Sequence, residues 1–427
     1  MSDLTPELID CIRAHRLPDL ELGADHFHPA YHGLSILNLP ASLSKWLGAG
    51  ELHHPAIDLP ELDELAAGAG QVVCVLIDAV ALHRFQDWVA QPESDITAWI
   101  DRGLLGTLTS VVPSTTSTAL TTLWTGRSPA EHGVLGYEIF LKEFGLIANM
   151  ITHAPAAFDG RAGLLYNAGL DLEHFLSVET IGPHFKRAAV DVHAFLHYSI
   201  SGSGLSRMHY PAVNAHSFAH HSDLWIAVRT LANQPLDRKR LIWVYHSGVD
   251  GLSHRHGPDS EQARAEFLDF TNTMVTEFLK KLDGVVAPDT MVVLLADHGQ
   301  LTTRKDPHFE LRNHPNLERR LHMMPTGENR LPYLYVQPGQ TAAIEEYLQR
   351  TWPGAFSVLP SSHLIEAGLF GPGKPCPTTR DRLGDLCVIT HRDAYLWWAA
   401  KENPLIGRHG GLSPEEMLVP FAAFRFE

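Results

Sequence analysis

Three aspartates and three histidines stand where metal chemistry would need them. Asp78 closes the apolar run QVVCVLI at 71–77, Asp250 and His254 follow RLIWVYHSGV, Asp297 and His298 follow TMVVLLA at 290–296, and His409 lies in RHGGLSPEEMLVP. Carboxylates and imidazoles together hold pairs of Zn²⁺, and carboxylates also suit Mn²⁺. Taken singly, each has an ordinary explanation: an Asp after a strand forms turns or caps helices, and 27 histidines place some beside Asp by chance.

A second chemical feature lies between them. In VVPSTTSTALTTLWTGRSPAEHGVLGY, 111–137, the hydroxyls of Ser114, Thr115, Thr116, Ser117 and Thr118 open a segment of helical character. Any of them serves as an N-cap. A hydroxyl in that place also faces the unpaired N–H groups and positive dipole of a helix N-terminus, which suits a phosphoryl group, and a nearby metal lowers its pKa for attack.

These residues need a frame that gathers them. The runs QVVCVLI, TLTSVV before Pro113, RLIWVY at 240–245 and TMVVLLA are continuously apolar, as in strands covered on both faces. Between the last two, a helix is expected to open near Asp259 or Ser260, to place Phe267, Phe270, Met274, Phe278 and Leu282 on one face, and to stop at Gly284. Strand, long helix, strand is a βαβ crossover. The expected fold is therefore α/β, a doubly wound and mostly parallel sheet with helices on both faces and the site at the carboxyl ends of the strands. Residues 1–70 are expected to be an extension packed on a single domain spanning 71–427, with lid-type insertions near 140–235 and 300–400.

Composition narrows the partners. With 427 residues, 44% hydrophobic, the chain can bury a large core. A formal charge of −16 argues against a nucleic acid duplex. Cys11, Cys74, Cys376 and Cys387 form neither a disulfide framework nor a thiolate zinc site. No run approaches the 18 or so apolar residues a membrane span needs, and the acidic N-terminal stretch does not read as a signal peptide, so a cytoplasmic location is expected. His216, His220 and His221 make an irregular His-rich stretch; His256 reads as a surface or supporting residue, Arg304, Lys305 and His308 as a solvated loop, and Trp397 and Trp398 as packing aromatics.

The segment around the hydroxyls resembles the alkaline phosphatase superfamily, nearest its type I phosphodiesterase/nucleotide pyrophosphatase branch. There the nucleophilic Thr follows a Pro by three residues, precedes the Thr of a Thr-Gly pair by nine and a His-Gly pair by sixteen. Pro113, Thr125-Gly126 and His132-Gly133 meet those offsets when the nucleophile is Thr116. VDGLSHRHGPDS at 249–260, ADHG at 296–299 and the late His409-Gly410 are similar to the ligand motifs of that family. The resemblance implies one metal on Asp78, Thr116, Asp297 and His298 and another on Asp250, His254 and His409. The metals are expected to be zinc, with manganese the alternative. One departure stands out: the branch usually places a phosphate-binding Asn twenty-one residues after the nucleophile, and here that residue is Tyr137, which also donates a hydrogen bond but reaches further.

The resemblance implies a two-metal phosphoryl hydrolase that passes through a phospho-threonine and acts on a small anionic ester. Phosphodiesters or nucleotide pyrophosphates are favoured; a phosphomonoesterase or phosphate transferase is the alternative on the same site, and a catalytically idle, metal-binding regulatory module the alternative from another class. Because ligating His must be neutral and the nucleophile ionised, turnover is expected to rise from acid toward mildly alkaline pH in a pH–rate profile.

Overall fold

The computed structural model describes residues 2–157 and 161–426. Its large sheet has eight strands in the order Ser2–Asp3, Leu104–Thr109, Leu418–Arg425, Thr290–Leu295, Gln71–Ile77, Arg240–His246, Asp191–His197 and Asn214–Phe218. The five from Thr290–Leu295 to Asn214–Phe218 are mutually parallel, whereas Leu418–Arg425 runs antiparallel to both neighbours. The apolar runs Gln71–Ile77, Arg240–His246 and Thr290–Leu295 are buried at every residue. Helices on either side explain this. Trp243 meets Trp124 of the helix Thr116–Thr125 at 5.3 Å between ring centres, while His246, on the opposite face of the same strand, stacks on Phe270 of the helix Glu261–Glu277 at 4.1 Å.

Two local expectations shift. The run TLTSVV contributes less to the sheet than its composition suggests: the strand is Leu104–Thr109, because its partner begins at Leu418, directly opposite Thr109, and no ladder exists beyond that point. The long helix is Glu261–Glu277, capped by the Ser260 hydroxyl, which accepts from Ala263 N–H at 3.3 Å; a 3₁₀ turn at Leu279–Lys281 replaces its expected last turn.

Residues 2–70 pack widely on this frame. Ser2–Asp3 adds to the sheet edge, the helix Thr5–Ala14 lies on Leu104–Thr109, and the helix Leu39–Trp46 lies on Thr116–Thr125. Leu37, Leu39 and Leu43 are fully buried in the main core. The stretch 140–235, taken from sequence as one insertion, divides between two sheets. Asp191–His197 and Asn214–Phe218 extend the large sheet, since their backbones pair in parallel beyond Arg240–His246. Glu138–Leu141, Leu146–Asn149 and Ala154–Pro155 instead join Thr326–Glu328, Leu331–Leu334, Leu386–Thr390 and Phe356–Pro360 in a second, seven-stranded sheet. Among the described residues no helix is long and apolar enough to cross a membrane.

A buried ion pair fastens the second sheet to the C-terminal motif. Arg330 Nε and Nη2 donate to Glu416 Oε1 and Oε2 at 3.0 and 2.9 Å, both side chains wholly buried, and the same carboxylate accepts from the N–H groups of Gly411 and Ser413. Burial alone would raise the Glu416 carboxyl, but the charge and hydrogen bonds of Arg330 outweigh it and hold the group below its usual range. Arg330→Leu should therefore lose about 3–5 kcal/mol in urea unfolding at pH 7 by stranding that carboxylate. A group with a depressed native pKa stabilises above the ordinary glutamate value of about 4.3 and ceases to as pH falls through the native one. The gap between wild type and variant should accordingly narrow below about pH 4.

Candidate active site

The expected residues come from six separate segments and meet at the carboxyl ends of the central strands. Asp78 is the first residue after Gln71–Ile77, with its N–H on His246 O at 2.9 Å. Asp297 and His298 follow Thr290–Leu295 by one residue. Asp297 Oδ1 accepts from Ala79 N–H at 3.3 Å and from His298 N–H at 3.0 Å, which locks the two strand ends together. Gly299 is needed for this approach, because a Cβ there would lie 2.0 Å from Glu415 O.

Asp78, Asp297 and His298 form one group. The ring of His298 shares a hydrogen bond between Nδ1 and Gly299 O at 3.0 Å, so Nε2 faces Asp78 Oδ1 at 3.4 Å and Asp297 Oδ2 at 3.6 Å. Asp297 Oδ2 is buried without a hydrogen-bond partner. The Tyr245 hydroxyl, at the end of the neighbouring strand, donates to Asp78 Oδ2. Burial pushes both Asp78 and Asp297 above the usual carboxylate range, and the charge of Asp250 adds to the effect at each.

Asp250, His254 and His409 form the other. A helix not legible beforehand, Gly248–His256, sets Asp250 and His254 four residues apart on one face. His254 Nε2 lies 3.3 Å from Asp250 Oδ1 and 3.2 Å from His409 Nε2, and His409 Nε2 is 3.7 Å from Asp250 Oδ1. The outer nitrogens are taken by backbone: His254 Nδ1 meets Gly407 O at 2.9 Å and His409 Nδ1 meets Ser114 O at 3.1 Å. Burial, with His298 and His254 alongside, keeps His409 well below the usual imidazole range and so uncharged.

Both groups fit divalent metal. In each, three donor atoms lie within 4.8 Å of one another. Tetrahedral zinc with bonds of 2.0–2.1 Å has ligand–ligand edges of about 3.3 Å, longer than a good charged hydrogen bond and close to the separations just described. The orphaned Asp297 oxygen and the inward imidazole nitrogens are the donors such an ion takes. His298 and His409 stack at 4.1 Å between ring centres, so the two groups adjoin.

The hydroxyl run is sorted by its partners. Ser114 donates to Gly411 O at 2.7 Å, Thr115 to Glu328 Oε1 at 2.7 Å and Ser117 to Gly136 O at 2.8 Å, while the Thr118 hydroxyl is buried without a hydrogen-bond partner. Thr116, first residue of its helix and the only partly exposed member of the run, holds its Oγ1 3.1 Å from His298 Nε2 and 3.4 Å from Asp78 Oδ2. His132, part of the spacing pattern, is buried and bonded to Thr122, a packing role.

Several site residues carried no sequence signal. Gln300 donates to Asp250 Oδ1 at 2.8 Å. Glu328, pushed up to about 8 by burial, accepts from both Thr115 and the Tyr137 N–H at 2.8 Å and so joins the start of the helix Thr116–Thr125 to the Tyr137 loop. A cavity of about 210 Å³ opens over Thr116, with Asp78, Asp250, His254, His409 and Tyr137 in its floor and rim. Leu196, Ile200, Leu205 and Tyr210 wall it, and among the described residues its lining includes no Lys or Arg. His256, Arg304, Lys305 and His308 are exposed and play no part in it.

A sequence model of the type I phosphodiesterase/nucleotide pyrophosphatase family matches residues 72–412. The chain belongs to that family. Its members are hydrolases of phosphoester bonds that depend on divalent metal. Among solved structures, the mouse ectonucleotide pyrophosphatase/phosphodiesterase 5 is similar with a TM-score of 0.61 at 16% identity over 82% of this chain and 87% of its own. Phosphonoacetate hydrolase from Sinorhizobium meliloti 1021, in complex with phosphonoformate, gives 0.59 at 18% identity over 83% and 89%. No curated protein matches the sequence significantly. In this phosphodiesterase-family chain, Asp250→Asn and His409→Ala should each lose one metal equivalent by elemental analysis, whereas retention of all metal by both would dissolve the second group.

Proposed function

We propose that the protein hydrolyses phosphodiesters or nucleotide pyrophosphates through Thr116. The carrying observation is that, of five consecutive hydroxyls, Thr116 alone sets its Oγ1 against the candidate donors, 3.1 Å from His298 Nε2 and 3.4 Å from Asp78 Oδ2, at a helix N-terminus and beside a cavity that Asp250, His254 and His409 also line. Asp78, Asp297 and His298 would hold one metal, with Thr116 beside it, and Asp250, His254 and His409 the other, on a doubly wound sheet; zinc suits the His-rich donor set best, and manganese is the alternative. When bound, such metals supply Lewis-acid charge to the phosphoryl oxygens and favour the ionised hydroxyl.

The chain's own groups do the rest. Thr116 Oγ1 attacks phosphorus, the bond to the leaving oxygen breaks, and a phospho-threonine remains; water then cleaves that ester, releasing the phosphate monoester and restoring the hydroxyl. The N–H groups at the start of the helix Thr116–Thr125 favour the anionic phosphoryl group. Tyr137, 42% exposed at the rim, stands to donate to a phosphoryl oxygen from further out than an Asn would.

The walls favour the diester. Leu120, Ile151, Leu196, Ile200 and Leu205 present an apolar surface that a second, uncharged ester group would cover and that a phosphomonoester would leave bare. We read the stretch 196–210 as the lid on that group. The mouse neighbour has also been solved as an inactive form in complex with AMP, at a TM-score of 0.60 and 14% identity over 82% and 87% of the chains. Action in the cytoplasm is part of the proposal, supported by four free thiols, three of them buried.

With zinc supplied at pH 8, bis-p-nitrophenyl phosphate should be turned over faster than p-nitrophenyl phosphate, and Thr116→Ala should lower that rate at least a thousandfold, an order typical of removing a nucleophile, while the ligand groups keep their metal. Preference for the monoester would move the assignment to phosphatase. Full turnover by Thr116→Ala would remove it as nucleophile, and activity on neither ester would favour a transferase or a binding module.

A further inference from the structure

A second ligand-type cluster lies outside the catalytic cavity. His221 opens the helix His221–Ala232, His246 ends the strand Arg240–His246, and Glu266 projects from the helix Glu261–Glu277. Glu266 Oε1 is 3.4 Å from His221 Nε2 and 3.2 Å from His246 Nε2, and the three donor atoms lie within 4.8 Å of one another. The separations again match the tetrahedral edge of about 3.3 Å and exceed a good charged hydrogen bond.

Three observations point to a ligand here. His246 Nε2 is buried without a hydrogen-bond partner, on a side chain only 6% exposed. His221 Nδ1 is 2.6 Å from Asp269 Oδ2, the outer carboxylate contact that fixes a metal-binding imidazole and leaves Nε2 to coordinate. Gly248 keeps the cradle clear, because a Cβ there would lie 2.3 Å from Glu266 Oε1 and 2.7 Å from His246 Nε2. The cluster opens into a cavity of about 650 Å³, lined also by His197 and His220, so a fourth position is free for water or a further ligand.

The cluster of His53, His54 and Glu131 shows the contrast. There Glu131 accepts from Arg127 at 3.2 Å, from Ser128 N–H at 2.8 Å and from His54 at 2.5 Å, and these donors fill the place of an ion.

We infer that His221, His246 and Glu266 form a separate zinc-type site that joins two helices to the end of a central strand. The ion would fix the start of the helix Gly248–His256, which carries Asp250 and His254. The inference does not depend on the identity of the phosphoester, nor on how many ions the catalytic groups hold.

The test uses the full chain, stripped by chelation, reloaded with zinc chloride, desalted and analysed by mass spectrometry of its metal content. His221→Gln and Glu266→Gln should each retain one zinc equivalent fewer than wild type while keeping the wild-type circular dichroism spectrum. Equal zinc in wild type and both folded variants would make the cluster an ion-pair network and overturn the inference. Should either variant fold poorly, Asp269→Asn decides: its side chain is 69% exposed and hydrogen-bonds His221. That change should weaken the same equivalent by about ten- to a hundredfold in a chelator-competition titration. Unchanged affinity there would equally overturn it.

Discussion

Three aspartates face one another at the core of this molecule, and their mutual repulsion is the constraint the rest of the structure answers. Asp78, Asp250 and Asp297 converge at the carboxyl ends of the central strands, where burial raises the Asp78 and Asp297 carboxyls and the charge of Asp250 raises both further. The fold offsets part of that cost with Tyr245 on Asp78, backbone N–H groups on Asp297 and Gln300 on Asp250. What remains is negative charge and an orphaned oxygen, the environment in which divalent cations bind and in which bound cations dominate the local field.

Holding such a cluster requires rigid supports, which explains where its members sit. Asp78, Asp297 and His298 stand at the ends of adjacent parallel strands whose ladder fixes their spacing. Asp250 and His254 occupy one helix face, and His409 is held by a loop tied down through the wholly buried Arg330–Glu416 pair. Glu416 serves that loop, the cap of the helix Pro414–Met417 and the second sheet at once. Thus the second sheet reaches the site through the same carboxylate that shapes the His409 turn.

The cavity over Thr116 couples the two ends of that arrangement. Glu328, from the second sheet, accepts from both the Thr115 hydroxyl and the Tyr137 N–H and so ties the hydroxyl run to the rim. The apolar stretch around Leu196, Ile200 and Leu205 leaves the end of a large-sheet strand and closes the opposite side. Anionic chemistry at the floor and apolar contact at the wall are therefore both carried by strands of the large sheet, while the second sheet supplies Glu328 behind the hydroxyl run.

The sequence alone determined the candidate donor residues, their order, the buried strands that carry them and the family to which the chain belongs, because continuous apolar runs and the residues after them are local signals. It pointed to Thr116 through spacing to Pro113, Thr125-Gly126 and His132-Gly133. The family resemblance already implied which donors share a group, but only the tertiary structure brought them together, since His409 and Asp250 are far apart in the chain and their Nε2 and Oδ1 atoms meet at 3.7 Å only in the folded molecule. The tertiary structure also revealed Gln300, Glu328 and the helix Gly248–His256, whose mixed polar sequence lacks an apolar face to announce it. The division of 140–235 between two sheets was likewise a tertiary outcome, because strand partners depend on backbone hydrogen bonds between remote segments that no local pattern encodes.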